Sequence, residues 1–268
     1  MQSNKPLVLL LLSLLCVSSR GTTAQQASSP APERDPQAVA FLQQSIAAMG
    51  AQFPSDSLAT GSIVIVAGTA RDEGTIRIQT RGLDQTVEEI TAAAKSVKLV
   101  YSRGAAVEIE GGKTRKLSLE RALTARSSMF PLPMLLAASN NRLWGLKYIG
   151  LEELDGCSCH HIEIWESFAD RPALQAAANL SKRGIWLDST SGLVRRVFYT
   201  IHERRGAGPV LPVEITFSDY RDIRGFAYPF KIETSLNGTP AQTITIQSVL
   251  FNAGLVEDDF AVAVKEGK

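Results

Sequence analysis

The sequence is poor in the residues that build disulfide frameworks, metal sites and catalytic centres. It has three cysteines and three histidines among 268 residues, and 7% of its residues are aromatic. So few cysteines exclude a disulfide scaffold, and stability then has to come from an apolar core. The formal net charge is +1, and no basic run is present. This composition gives no electrostatic basis for binding nucleic acid.

Common catalytic motifs are also missing from the sequence. It contains no Gly-x-Ser-x-Gly, no His-Glu-x-x-His and no glycine-rich phosphate loop. Adjacent carboxylates such as Glu88-Glu89 are more typical of solvated faces. We therefore predict that the chain is not an enzyme and that it binds no cofactor or metal.

The longest apolar run lies at the N-terminus. Lys5 introduces an apolar segment over 6–17, and small polar residues follow up to Ala24. This order is typical of a cleavable export signal, and about a dozen apolar residues are too few to span a ~30 Å hydrocarbon layer. Cys16 follows Leu15, whereas lipid attachment requires a small residue before the cysteine. We predict cleavage near Ala24-Gln25 and a periplasmic or secreted location.

The sequence predicts three parts. Residues 1–24 form the signal peptide, residues 25–35 form a flexible leader rich in Pro and Ser, and residues 36–268 form a single β domain. Removal of the signal lowers the formal net charge from +1 to about −1, because it takes away two basic residues and no acidic one. We expect the mature chain to be soluble and monomeric.

One helix precedes the strands. Asp35 is a good N-cap, Pro36 suits the first helical position, and Gly50 suits the stop. The apolar residues recur at helical spacing and form one stripe. They are Val39, Leu42, Ile46 and Met49.

From Gly61 onward the apolar residues alternate with a period of two, which predicts strands. Gly111-Gly112 and Asn237-Gly238 separate such runs and indicate tight turns. The run at 63–66 is apolar on both faces, so we expect it either to be covered on both sides or to turn one side toward an apolar partner. Segments at 118–139 and 172–181 favour helix. The pattern predicts an antiparallel sheet with helices on one side, and a closed barrel or a sandwich is the alternative.

The order of these segments resembles the superfamily of the periplasmic lipoprotein carrier LolA and its outer-membrane acceptor LolB. The resemblance spans about 36–264 and departs from the family where Gly82, and not proline, follows Arg81. It rests on the N-terminal helix and on several short motifs in order, which lie at 74–81, 100–104, 107–110, 130–136, 184–193, 220–230 and 259–260.

The resemblance implies an α+β fold that is mainly antiparallel β: a half-open barrel of about ten to eleven strands, with helices covering a concave apolar face. That face would hold lipid or lipoprotein acyl chains, and Arg81 would be a basic residue that contacts the lid. The predicted ligand-binding residues are Ile63, Ile65, Ile76, Ile78, Leu99, Tyr101, Phe130, Leu132, Met134, Leu135, Phe217 and Phe230. The superfamily also resembles envelope regulatory modules, so a protein partner is the alternative to a lipid.

Cys157, Cys159 and His161 form the most chemically suggestive cluster. On a strand their side chains share one face, and thiolate and imidazole suit zinc or copper. Three ligands on one strand do not complete a tetrahedral shell, and a disulfide between residues two apart would be strained. We therefore favour small side chains packed in a strand, with a disulfide, a metal site or a redox role as alternatives.

Overall fold

One antiparallel sheet of thirteen strands runs through the described part of the chain. The computed structural model describes residues 31–52, 54–93, 96–124, 129–204 and 207–261. The predicted signal peptide and residues 25–30 of the predicted leader lie outside these residues. The strands are β1 (Asp56–Ala67), β2 (Ala70–Arg81), β3 (Gln85–Ala92), β4 (Ser96–Ser102), β5 (Ala105–Glu110), β6 (Lys113–Lys116), β7 (Trp144–Leu154), β8 (Cys157–Glu166), β9 (Arg183–Asp188), β10 (Val194–Arg204), β11 (Ala207–Ile223), β12 (Phe226–Leu236) and β13 (Thr239–Phe251).

The strand order has a single crossover. The sheet reads β6-β5-β4-β3-β2-β1-β13-β12-β11-β10-β9-β8-β7, so nearly all neighbours in the sheet are neighbours in the chain. Pairing of β1 with β13 joins the two halves. Strands β6 and β7 are consecutive in the chain but lie at opposite edges, and the described sheet is open between them. The chain segment that connects these edges carries two helices.

The strand count exceeds the ten or eleven that we predicted. Strand β6 is Lys-Thr-Arg-Lys and wholly exposed, so no apolar alternation reveals it. In β3 the alternation of apolar and polar residues is interrupted, because the charged residue Glu88 lies on the buried face. Its sequence neighbourhood instead predicts a solvated face. The two glycine-containing turns are confirmed. Asn237 and Gly238 both have positive φ between β12 and β13, as a two-residue hairpin turn requires.

Helix α1 (Pro36–Ala48) has the boundaries that its capping residues predict. The Asp35 side chain accepts a hydrogen bond from the Gln37 backbone N–H at 2.8 Å, and Pro36 occupies the first helical position. Leu42, Ile46 and Met49 are buried against the sheet. The predicted stripe of this helix is therefore its packing face.

Two further helices, α2 (Leu119–Thr124) and α3 (Leu132–Asn140), lie between β6 and β7. We call them the lid helices. The Ser118 hydroxyl accepts a hydrogen bond from the Arg121 backbone N–H at 3.3 Å, so Ser118 helps to start α2. The alanine-rich segment Pro172–Ser181 is helical, as expected, but it forms a 3₁₀ helix. A second 3₁₀ helix, Glu257–Phe260, follows the last strand.

The main core lies between one face of the sheet and helices α1 and α3. We call this the inner face, and the opposite one the outer face. The strand at 63–66 is covered on the inner face, where Ile63 is buried, but Val64 and Val66 on the outer face are only half-buried. Full cover on both sides is therefore not found for this strand, and the alternative that one side faces an apolar partner stays a prediction. Among the described residues, no helix is both long enough and apolar enough to cross a membrane.

Candidate ligand-binding face

The inner face gathers most of the residues that the resemblance nominated. Ile65 lies at the margin of this cluster, and Leu99 and Tyr101 belong to a smaller cluster with Leu117 and Ala122 beside α2. The nominated residues buried in the main cluster are Ile63, Ile76, Ile78, Phe130, Leu132, Met134, Leu135, Phe217 and Phe230. Whether these side chains contact a ligand stays a prediction.

Helix α3 fills the centre of this face. Leu132, Met134 and Leu135 have no exposed surface. Phe130, just before the helix, stacks on Tyr228 of β12 with ring centroids 4.5 Å apart. The helix therefore occupies the space beside the inward-facing side chains of the sheet.

Arg34 holds the C-terminal end of α3. Its guanidinium donates hydrogen bonds to four backbone carbonyls at 2.8–3.1 Å. Carbonyls at the end of a helix lack intrahelical partners and carry partial negative charge, so a cation stabilises them. Residues 33–35, which the sequence assigns to the leader, are hydrogen-bonded to α3 and β7, while the leader as a whole stays a prediction. The acceptors belong to Ala138, Ser139, Asn141 and Trp144.

Helix α2 is held by polar contacts to two strands. The buried Glu120 carboxylate accepts the His202 backbone N–H at 3.1 Å, and its other oxygen lies 2.8 Å from His202 Nδ1. On β9, the buried Arg183 guanidinium donates to the carbonyl of Leu123 in the last turn of α2. These contacts attach α2 to β10 and β9.

A cavity of about 160 Å³ lies beside α2 on the inner face. Its walls come from β3 and β4 on one side and from β10 to β13 on the other, so the sheet curves around it and the inner face is concave. Its apolar lining includes Met129, Ile201 and Ile215. Its polar lining is Glu88, Tyr101, Arg121, Thr124, Tyr199, Thr234 and Gln242.

The two phenols in this cavity are held neutral by their surroundings. Burial raises the pKa of Tyr101 well above its usual value, and the Glu88 carboxylate adds to the rise. Burial also raises the pKa of Tyr199 to about 12, again with a contribution from Glu88. Both phenols therefore stay uncharged above the pH of about 10 at which a free tyrosine ionises. Because the cavity is amphipathic, with methyl and methylene groups beside hydroxyls and charges, it suits the junction between an apolar chain and a polar group.

The cavities are small for a whole lipid. A second one, of about 190 Å³, lies between α1 and the turn that joins β9 and β10. Sites for drug-sized molecules have about 300–1,000 Å³. A long acyl chain therefore fits the concave face only if the side chains of α3 give way.

Arg81 lies on the outer face, away from the lid helices. Its guanidinium donates to Gln85 Oε1 at 2.8 Å and pairs with Glu257 at 2.7 Å. Arg103 pairs with the same Glu257 carboxylate at 2.9 Å. These contacts attach the second 3₁₀ helix to β2. The predicted contact of Arg81 with the lid is not among them, and a role in ligand binding stays a prediction.

Cys157, Cys159 and His161 share the outer face of β8, as the alternation predicts. Both thiols are free, and the Cys157 Sγ accepts a hydrogen bond from Arg195 at 3.2 Å. Burial raises the pKa of Cys159 to about 11, with a further contribution from Asp188. His161 stacks on Trp186 at 3.9 Å. Among the described residues, no group of three Cys, His, Asp or Glu side chains is arranged to hold a metal.

Several residues that shape the site escaped the sequence analysis. Glu88, Glu120 and Arg183 are charged yet buried, and the residues next to them in the sequence do not predict this burial. The prediction that Glu88 is solvated is wrong, because its side chain turns to the inner face between Ile78 and Leu99. One sequence feature could have indicated the burial of Glu88. In a strand it shares a face with Ile90, two residues away, and that face packs inward.

No protein-family model matches the sequence, and a search of curated proteins finds no match. Solved structures do match. A domain from Vibrio parahaemolyticus named for outer membrane lipoprotein sorting aligns with 84% of this chain and 96% of its own at 14% identity, with a TM-score of 0.56. A LolA superfamily protein from Nitrosomonas europaea aligns with 84% and 97% at 14% identity and a TM-score of 0.55. The chain has a LolA-like fold.

A DUF1329 family protein from Desulfovibrio piger shares this LolA-like fold, with 12% identity, a TM-score of 0.55, and coverage of 84% of this chain and 97% of that one. The expected resemblance is thus confirmed for the fold. The sheet has thirteen strands and remains open, whereas we had predicted ten or eleven.

Proposed function

We propose that this chain is an exported bacterial carrier or binding protein that holds a lipid, an acyl chain or the acyl group of a lipoprotein on its concave face. The observation that carries the proposal is the position of α3. Its side chains Leu132, Met134 and Leu135 fill the apolar face, and Arg34 donates hydrogen bonds to carbonyls at the helix end. Export rests on the signal peptide that the first 24 residues predict.

The free energy of burying the α3 side chains is similar to that of burying an acyl chain, and this similarity supports the proposal. Burial of the three side chains stabilises the closed form by about 5–9 kcal/mol, at about 1.5–3 kcal/mol each. A chain of about a dozen methylenes contributes on the order of 10 kcal/mol when buried, before the cost of association. An acyl chain can therefore replace α3 on the sheet with a small net change in free energy. Such a near balance allows both uptake and release.

Binding of a fluorescent twelve-carbon fatty acid to the mature chain tests the proposal, together with native mass spectrometry of protein purified from a lipid-rich host. We expect saturable one-to-one binding. We also expect amide exchange in 132–140 to speed up on binding, while the strands beneath become more protected. Absence of both co-purifying lipid and saturable binding would overturn the proposal.

A second candidate function is a regulatory or scaffold module that binds an envelope protein. The filled inner face favours it, because the cavities beside α1 and α2 measure only about 190 and 160 Å³. Under this alternative, α3 stays in place and amide exchange in 132–140 does not change when fatty acid is added. The same exchange experiment therefore separates the two candidates.

A further inference from the structure

The two edges of the sheet are built differently. Strand β6 has four residues, all exposed, and three of them are basic: Lys113, Arg115 and Lys116. Short, charged edge strands resist pairing with other chains. Strand β7 has eleven residues, and from Ile149 onward it carries three large apolar residues and two acidic ones but no basic residue. The β6 edge is therefore protected against pairing with another strand, and the β7 edge is not.

The first half of β7 already has a partner. The Leu146 backbone N–H donates to the carbonyl of Glu33, and the Asp35 N–H donates to the carbonyl of Leu146, both at 2.9 Å. The Asp35 carboxylate accepts the backbone N–H of Tyr148 at 3.2 Å. Residues 33–35 thus act as a short added strand, and this edge is able to accept one.

The second half of β7 is open. The register shifts between Tyr148 and Gly150, and beyond this bulge no other described segment pairs with the outer side of the strand. Ile149 is 45% exposed and Leu151 is 58% exposed. Alternate residues of an edge strand turn both backbone groups outward. An exposed edge with apolar side chains is a template for another strand.

The negative charge at this edge indicates which kind of segment can bind there. Glu153 and Asp155 are exposed at the end of this edge. Two copies of β7 carry the same negative charge along this edge, and like charges on neighbouring strands are destabilising. An extended segment with basic residues would instead meet opposite charges, and its apolar side chains would cover Ile149 and Leu151.

We propose that residues 149–154 of β7 form a docking site for an extended segment of another protein that carries both basic and apolar side chains. The segment adds as a further strand beside β7. The site lies on the edge of the sheet and does not depend on what the concave face holds.

Fluorescence anisotropy with labelled eight-residue peptides on the mature chain tests the site. The probes are a Lys-Val peptide in which Val-Val and Lys-Lys pairs follow one another, so that each face carries both residue types, its Glu-Val counterpart, and the same Lys-Val peptide with alternate N-methylated residues. We expect saturable binding of the first probe only, because it alone offers both the charges and the backbone donors. Absence of saturable binding up to millimolar peptide overturns the proposal.

Variants locate the binding on β7. Leu151→Lys and Glu153→Arg should each weaken binding of the Lys-Val peptide at least about tenfold. The matched control is Leu250→Lys, since Leu250 is 48% exposed on β13, an interior strand of the sheet. It should leave the affinity unchanged, and thermal unfolding should show that all three variants fold. Equal weakening by the control overturns the proposal.

Light scattering distinguishes a second copy as the occupant. If β6 of another copy pairs with β7, particle size grows with concentration and Lys116→Glu abolishes this growth. That result also overturns the proposal, because the partner would then be this chain itself.

Discussion

Glu120 on α2 receives two contacts from a single residue of β10, His202. One carboxylate oxygen accepts the His202 backbone N–H at 3.1 Å, and the other lies 2.8 Å from Nδ1 of the same residue. The two residues are 82 positions apart in the chain, and the carboxylate is buried. This pair attaches the first lid helix to the rim of the concave face.

Replacement of Glu120 by Gln should loosen α2. The Gln amide keeps an acceptor for the backbone N–H but loses the negative charge, and it retains the ring contact only if its NH₂ donates to an unprotonated Nδ1 of His202. We expect the free energy of unfolding to fall by about 1–3 kcal/mol and amide exchange in 119–124 to speed up. Urea unfolding and hydrogen exchange measure these two effects.

The same variant tests the role of the lid. If α2 limits access to the concave face, Glu120→Gln should raise the association rate of the fluorescent fatty acid. Glu73→Gln is the control, because Glu73 is an exposed residue paired only with Arg71. An unchanged association rate in a destabilised Glu120→Gln protein would show that α2 is structural and does not gate the face.

Arg34→Ala should detach the end of α3. The variant loses hydrogen bonds from a cation to four carbonyls, and we expect destabilisation of about 1–3 kcal/mol. Exchange in 132–140 should increase more than exchange in β12. Arg34→Lys should recover only part of the loss, because an ammonium cannot reproduce the planar fork of the guanidinium. Full recovery with Lys would mean that charge alone fixes the helix end.

The two thiols should differ in reactivity. Cys157 is half-buried and hydrogen-bonded to Arg195, whereas burial raises the pKa of Cys159 to about 11. Since the thiolate is the reactive form, a thiol reagent at pH 8 should modify Cys157 quickly and Cys159 only on unfolding. Cys157→Ser should remove the fast phase and Cys159→Ser should keep it. A fast phase that survives Cys157→Ser would contradict the burial of Cys159.

Local signals were sufficient for part of the fold. Helix α1 follows from Asp35, Pro36 and its apolar spacing, and the last hairpin follows from Asn237-Gly238, because caps and turns act within a few residues. Strand β6 left no such signal. Its four exposed residues pair with β5 on one side only, so neither face requires an apolar side chain.

Long-range contacts explain what the sequence analysis missed at the site. Arg34 is 104 residues from Ala138, whose carbonyl it reaches. Burial of Glu88 depends on strands β2 and β4 and on the cover that α2 provides. A pattern read along the chain reports the face on which a side chain lies, but not which distant element packs there. Charged residues in the core are therefore the ones most easily assigned to solvent.

Four tyrosines with raised pKa values should make the protein less stable in alkali. Burial raises the pKa of Tyr101, Tyr199, Tyr220 and Tyr228, and for Tyr199 the value is about 12. The unfolded chain loses these protons near pH 10, so above that pH the unfolded state binds fewer protons than the folded state. Stability should therefore hold below about pH 10 and fall as pH rises further. Spectrophotometric titration should show these four phenols ionising together with the loss of ellipticity. If they titrate near pH 10 in a protein that remains folded, the tyrosines are not buried as described.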